Sequence, residues 1–181
     1  MNAIETELKG CFIIEPKVFQ DNRGYFFESF NQQSFDNLTK TNTNFVQDNE
    51  SFSTKGVLRG LHYQIGVNAQ AKLVRVVKGK VLDVAVDIRK GSDTFGKHIS
   101  VELSEDNKRQ LFVPRGFAHG FIVLSETAIF SYKCDNLYNK ESEGGIIFND
   151  STLDINWQLP ESEFLVSEKD MLLPQLENAR L

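Results

Sequence analysis

Residues 56 to 64 read Gly-Val-Leu-Arg-Gly-Leu-His-Tyr-Gln, and residues 114 to 121 read Pro-Arg-Gly-Phe-Ala-His-Gly-Phe. The chain has three histidines, and two of them, His62 and His119, stand in these Arg-Gly stretches among apolar neighbours. An imidazole titrates near neutral pH, so it can take or give a proton there. Apolar flanks point to a side chain shielded from bulk water. A shielded imidazole beside arginines suggests acid–base chemistry on an anionic substrate.

Each candidate has an ordinary reading beside the functional one. His62 could be a core histidine satisfied by a backbone carbonyl. Arg59, His62 and Gln64 cluster polar chemistry inside an apolar stretch, however, and Gly60 lets the backbone come close to something, which favours a role in function. Position alone favours a plain strand aromatic for Tyr132 and a solvated strand-start cation for Lys72. Asp170 closes a capping box that begins at Ser167. Asp83 and Asp87 share a strand face, and either could orient an imidazole. A catalytic metal site usually draws two or more histidines among three side-chain ligands. Here Tyr63 and Gln64 follow His62, no His-x-His pair exists, and His98 reads as exposed at a polar strand start. No metal is expected.

The elements that must hold these residues are strands. Fifteen phenylalanines with many valines and isoleucines favour extended structure. Leu82, Val84, Val86 and Ile88 alternate with Asp83, Asp87 and Arg89. Ile99, Val101 and Leu103 alternate with Ser100 and Glu102, and Ala128, Phe130 and Tyr132 alternate with Ile129, Ser131 and Lys133. This period of two predicts half-buried strands. Turn signals at Asp21-Asn22-Arg23-Gly24, Lys78-Gly79-Lys80, Lys90-Gly91-Ser92-Asp93 and Glu143-Gly144-Gly145 separate them. Strands at such short spacing predict an antiparallel sandwich or jelly roll. Two short helices are expected, one over about Gln32 to Lys40 and one after Ser167.

At 181 residues the chain suits one domain with a full core, or a domain plus a short appendage. The net charge of −5 argues against nucleic acid as a general partner, since backbone binding needs a basic surface, yet leaves room for a local basic pocket. No stretch approaches the roughly 20 apolar residues that span a bilayer, so no membrane partner is expected. The N-terminus lacks a basic region followed by an apolar run, which argues against a secretory signal. Cys11 and Cys134, far apart and alone, make neither a disulfide framework nor a zinc knuckle, and a reducing cytoplasm is the simplest compartment.

The motifs match a family in order and spacing over nearly the whole chain. They are Glu15-Pro-Lys-Val-Phe19, Asp21-Asn-Arg-Gly-Tyr-Phe-Phe-Glu28, Phe45-Val-Gln-Asp-Asn49, Val57-Leu-Arg-Gly-Leu-His-Tyr-Gln64 and Ala71-Lys-Leu-Val-Arg75. They continue with Asp83-Val-Ala-Val-Asp-Ile-Arg89, Asn107-Lys-Arg-Gln110, Pro114-Arg-Gly-Phe-Ala-His-Gly-Phe121 and Ser167-Glu-Lys-Asp170. The chain resembles the RmlC-type dTDP-4-dehydrorhamnose 3,5-epimerases of the cupin superfamily. Pro-x-Gly-x-x-His alone is shared by many cupins, whereas the combined set is specific.

The resemblance implies a mostly β, cupin-type jelly-roll barrel with a few short helices. It implies a single domain over residues 1–181 whose N- and C-terminal extensions pack on the barrel, assembled as a homodimer. The implied activity is a cofactor-free, metal-independent isomerase of dTDP-L-rhamnose biosynthesis. It would invert C3 and C5 of dTDP-4-dehydro-6-deoxy-D-glucose, giving dTDP-4-dehydro-L-rhamnose through enolate intermediates. By matching position, His62 is the implied base, Tyr132 the proton donor, Lys72 the enolate stabiliser and Asp170 the carboxylate that orients His62, with Asp83 as second choice. Arg23, Glu28, Gln47, Asn49, Arg59, His119, Tyr138, Glu143 and Lys169 are the implied binding positions for the nucleotide sugar. Where some relatives carry paired tyrosines this chain has Leu137-Tyr138, a departure that bears on aromatic packing against the ligand. The alternatives are a single-carbon epimerase or 3,4-ketoisomerase on a related nucleotide sugar, a non-catalytic sugar-binding cupin, and a metal-dependent cupin.

Overall fold

The computed structural model describes residues 1–181. Fourteen strands and two α-helices follow one another along the chain. The first sheet holds β1 (Asn2–Glu5), β2 (Phe12–Glu15), β10 (Gln110–Val113), β7 (Lys72–Lys78), β12 (Thr127–Cys134) and β5 (Gln47–Thr54), in that spatial order. The second holds β13 (Glu143–Gly145), β6 (Val57–Gln64), β11 (Phe117–Val123), β8 (Lys80–Asp87) and β9 (His98–Ser104), with β14 (Leu165–Val166) parallel to β6. A separate hairpin, β3 (Val18–Asp21) with β4 (Gly24–Phe27), pairs with neither sheet. Every other strand pairing is antiparallel, as expected of a jelly roll whose strands lie close in sequence.

Three apolar layers result. Val74 and Val76 of β7, Ala128 and Phe130 of β12, Ala85 of β8 and Phe121 of β11 meet between the sheets. On the outside of the first sheet, α1 (Gln32–Thr39) lays Phe35 against Phe112, the rings edge to face at 5.1 Å. The helix starts where the Asn31 side chain accepts the Ser34 N–H, and stops at Lys40, which turns left-handed. It thus ends one residue short of the expected limit.

The outside of the second sheet differs from expectation. Every residue of β8 after Lys80 is buried, so this strand is not half-solvated. Leu82, Val84 and Val86 face outward, but Ile146, Leu153, Trp157 and Leu176 from the C-terminal third cover them. The period of two is still present; it sorts residues between two cores rather than between core and water. His98, expected to be exposed, is half-buried at the start of β9. Between β7 and β8 the chain reverses at Gly79, whose φ of +80° suits glycine and whose missing side chain leaves room for the Thr127 carbonyl.

Candidate active site

The space between the sheets opens into a cavity of about 480 Å³ lined by Arg59, His62, Lys72, His119, Tyr132 and Asp170 among others. A second lobe of about 370 Å³ shares His62, Lys72 and Tyr132 and adds Gln47, Asn49, Tyr138 and Glu143. Lys169 lines the first lobe. The four expected catalytic residues therefore meet, and the three common to both lobes stand at their junction.

Glycine sets the spacing of the two histidines. A side chain on Gly60 would come within 2.6 Å of the Gly120 Cα, and one on Gly120 within 2.7 Å of the Arg59 carbonyl, so β6 and β11 can approach this closely only with both bare. The ladder slips between His119 and Phe121, and His119 falls directly opposite His62. Both imidazoles thus point from the same side of the sheet into one cavity.

Asp170 arrives from α2 (Glu168–Met171). Its backbone N–H donates to Ser167 Oγ at 3.1 Å, as a capping reading requires. Its carboxylate does not turn back on the cap. Oδ1 lies 2.8 Å from His62 Nε2, and Oδ2 accepts the Gly60 N–H at 3.1 Å. Burial pushes this carboxyl up, but the His62 and Gly60 hydrogen bonds win and hold it below the ordinary carboxylate range. It is therefore an anion that fixes the ring with Nε2 on the carboxylate and leaves Nδ1 for the cavity. Asp170→Asn should keep the fold and slow proton abstraction about 10–100-fold, the usual cost of losing an orienting partner. Unchanged exchange of substrate protons with deuterated water would remove Asp170 from that role.

Lys72 is not the solvated cation its strand-start position suggested. Its Nζ sits 6.0 Å from the centre of the Tyr132 ring, inside the cavity. Burial drives its pKa down, while neighbouring Cys134, Asp83 and Glu143 oppose the fall. Burial also pushes the Cys134 thiol up, and it pushes the Asp83 carboxyl up against the pull of His119 and Lys72. Burial raises the Tyr132 phenol too, which keeps its proton in place at rest. Neither Lys72 Nζ nor Tyr132 Oη has a protein partner, and neither is among the buried polar atoms closed off from solvent. Both are free to meet a ligand.

Around this centre, Arg59 Nε and Nη2 donate to Ser53 Oγ at 3.2 Å. Lys169 Nζ reaches both Glu143 oxygens at 2.8 Å, and Tyr138 Oη donates to Glu143 Oε2 at 3.3 Å. Burial disfavours the Glu143 anion, but these contacts hold its pKa down, and Glu143 in turn raises Lys169. Gln47 Nε2 donates to Asn49 Oδ1 at 3.0 Å along β5. Leu137 and Tyr138 both stand exposed, and Tyr138 lines the second lobe.

One expectation needs correction. Asp83, the second choice for orienting His62, binds His119 instead, its oxygens 2.9 and 3.1 Å from Nε2. Arg23 and Glu28 line neither lobe. Arg23 sits at the tip of the β3–β4 hairpin, paired with Asp21, its side chain 86% exposed. Glu28 follows the hairpin and accepts from Asn31. Sequence reasoning also passed over Ser51, Phe121, Phe130 and Cys134, which line the two lobes. Ser51 was findable, since Asn49, Ser51 and Ser53 alternate along β5 and must share a face. No group of three or more His, Cys, Asp or Glu side chains is placed to hold a metal ion.

A family model described as dTDP-4-dehydrorhamnose 3,5-epimerase matches residues 5–178. A curated dTDP-4-dehydrorhamnose 3,5-epimerase of Shigella flexneri is 57% identical over 171 residues, which cover 94% of this chain and 93% of the relative. The crystal structure of dTDP-4-dehydrorhamnose 3,5-epimerase from Elizabethkingia anophelis NUHP1 superposes with a TM-score of 0.95 at 60% identity, covering 98% of this chain and 97% of that one. A dTDP-6-deoxy-D-glucose-3,5-epimerase, RmlC, of Legionella pneumophila Philadelphia 1, in complex with dTDP-4-keto-L-rhamnose, gives a TM-score of 0.94 at 50% identity over 98% of this chain and 93% of that one.

Proposed function

The chain belongs to the dTDP-4-dehydrorhamnose 3,5-epimerase family, the cupin-like jelly rolls, and we propose how its own residues divide the work. It is an isomerase that inverts C3 and C5 of dTDP-4-dehydro-6-deoxy-D-glucose to give dTDP-4-dehydro-L-rhamnose. The observation that carries the residue assignment is the cavity junction, where an oriented imidazole, a buried ammonium and a protonated phenol converge without protein partners for their working ends.

The hydrogens at C3 and C5 flank the C4 ketone, so removing either gives an enolate whose charge gathers on the C4 oxygen. His62 takes the proton at Nδ1, because Nε2 is committed to Asp170. The resulting imidazolium is stabilised by that carboxylate. The Lys72 ammonium meets the C4 oxyanion in a cavity where water does not compete for the charge. Inversion then requires a proton from the other face of the ring. Tyr132 supplies it from its phenol, and solvent resets the tyrosinate and the imidazolium. Arg59 and Lys169 pair the diphosphate through charge-assisted hydrogen bonds, which is how an acidic protein holds an anionic substrate. Gln47, Asn49, Tyr138 and Glu143 line the other lobe around the rest of the nucleotide sugar.

Tyr132→Phe should leave proton exchange measurable while cutting inversion about 10²-fold or more, as loss of a positioned acid does. Full epimerase activity in that variant would rule the phenol out as donor. The reaction itself is tested by incubating the chain with dTDP-4-dehydro-6-deoxy-D-glucose and determining the sugar's configuration by NMR. Inversion at both carbons is expected. Inversion at C3 alone would make it a single-carbon epimerase, and no inversion would leave a sugar-binding protein.

A homodimer accounts for Arg23 and Glu28. The β3–β4 hairpin pairs with neither sheet and exposes the cross-strand pair Phe19 and Phe26 on one face and Tyr25 on the other. Seated on a second copy, it would bring Arg23 and Glu28 to that copy's cavity. Sedimentation should give twice the 20.6 kDa chain mass. Mixing unfolded Arg23→Ala and His62→Ala chains and refolding them together should recover activity that neither variant has alone, because some sites then draw one intact residue from each copy. Two unbridged, buried cysteines support the cytoplasm as the compartment, and no helix is long and apolar enough to cross a membrane.

A further inference from the structure

The cavity contains a second histidine–carboxylate pair that the reaction as described leaves without a task. His62 with Asp170 and His119 with Asp83 stand side by side, because His62 and His119 are cross-strand partners on β6 and β11. Asp83 is fully buried on β8, and His119 is only 7% exposed. Both Asp83 oxygens address Nε2. Nδ1 of His119 has no protein partner, and it is not among the buried polar atoms closed off from solvent. Its open side is the cavity that His119 lines.

The geometry points to Asp83 as a positioning residue: by holding Nε2–H of His119 it keeps Nδ1 bare and turned to the cavity, as an acceptor for a hydroxyl of the hexose ring. The hydrogen bond at one ring nitrogen sets which nitrogen carries the proton. The stacked Phe130 ring, 6.2 Å from His119, holds the imidazole plane. The two dyads thus differ in use. The first removes a proton from carbon; the second fixes the ring so that the carbon to be attacked faces the first. The sugar as the ligand rests on the function proposed above, but the tautomer does not.

Three histidines make nitrogen-15 NMR of the imidazoles decisive. In the wild-type chain at neutral pH, His119 should carry its proton on Nε2 and show a bare Nδ1. A ring protonated at Nδ1, alone or with Nε2, would overturn the inference without any variant. Asp83→Asn, of the same shape, should move His119 toward the other tautomer. It should lower kcat/KM about 10–100-fold, as loss of an orienting partner does, and leave the affinity for dTDP, which has no hexose, within about twofold. In a double-mutant cycle with His119→Gln the two losses should not add, because one side chain acts through the other. An Asp83→Asn chain with altered melting temperature but unchanged tautomer and kcat/KM would reduce Asp83 to a structural part. Equal weakening of dTDP would place the acceptor at the phosphates rather than the sugar. If that variant does not fold, the wild-type tautomer and His119→Gln decide: full kcat/KM in His119→Gln contradicts the inference. A failure of the epimerase function itself would show in the wild-type conversion assay and leave the tautomer result standing.

Discussion

His62→Ala is expected to remove deuterium uptake at both C3 and C5, lowering exchange about 10²–10⁴-fold, the range set by loss of a positioned general base. One imidazole is expected to serve both carbons because His62 stands with Lys72 and Tyr132 at the junction of the two lobes. The other imidazole, His119, lines the first lobe only. Glu143 is tied to Lys169 and Tyr138. Asp170 is spent on His62 Nε2 and the Gly60 N–H. Because the side chain is only part-buried, its removal opens space rather than collapsing the core, and nucleotide affinity should change little. Loss of exchange at one carbon only would mean that a second base serves the other.

Lys72→Met should cost about 10²–10³-fold in kcat, the typical price of one oxyanion donor, while the melting temperature holds or rises. The two halves of that expectation come from one fact. The ammonium lies inside the barrel, where burial opposes its charge. A thioether of similar length removes that penalty and fills the same space, but gives the C4 oxygen nothing to bind. A lysine kept for stability would behave the other way, with the melting temperature falling and turnover persisting. Tyr132, whose ring lies beside Lys72, still donates its proton in this variant, so residual product should retain the wild-type configuration.

Much of this site was legible in residue types and spacing. The apolar flanks of His62 and His119 signalled shielding, and both proved to line one cavity. Strand alternation correctly sorted Leu82, Val84 and Val86 from Asp83, because a pleat admits only two faces. It could not say that both faces of β8 would be covered, since the cover comes from Ile146, Trp157 and Leu176, far along the chain. Position alone read Lys72 as solvated and Asp170 as a plain cap residue. For Asp170 the backbone obeyed the local rule and the side chain escaped it, reaching 108 positions back to His62. Which carboxylate serves which histidine was beyond any local pattern. It depends on register across β6, β11 and β8 and on the docking of a four-residue helix. Arg23 and Glu28, matched by motif alone, lie at the tip of and just after a hairpin that pairs with neither sheet, and no pattern within the chain brings them to the cavity.

The sharpest measurement is proton NMR of dTDP-4-dehydro-6-deoxy-D-glucose in deuterated water with the intact chain and with His62→Ala side by side. One imidazole working against an enolate held by Lys72 requires the intact chain to place deuterium at C3 and at C5 of the inverted sugar, and the variant to place it at neither. Inversion with the original hydrogens retained, or undiminished uptake in the variant, would contradict it.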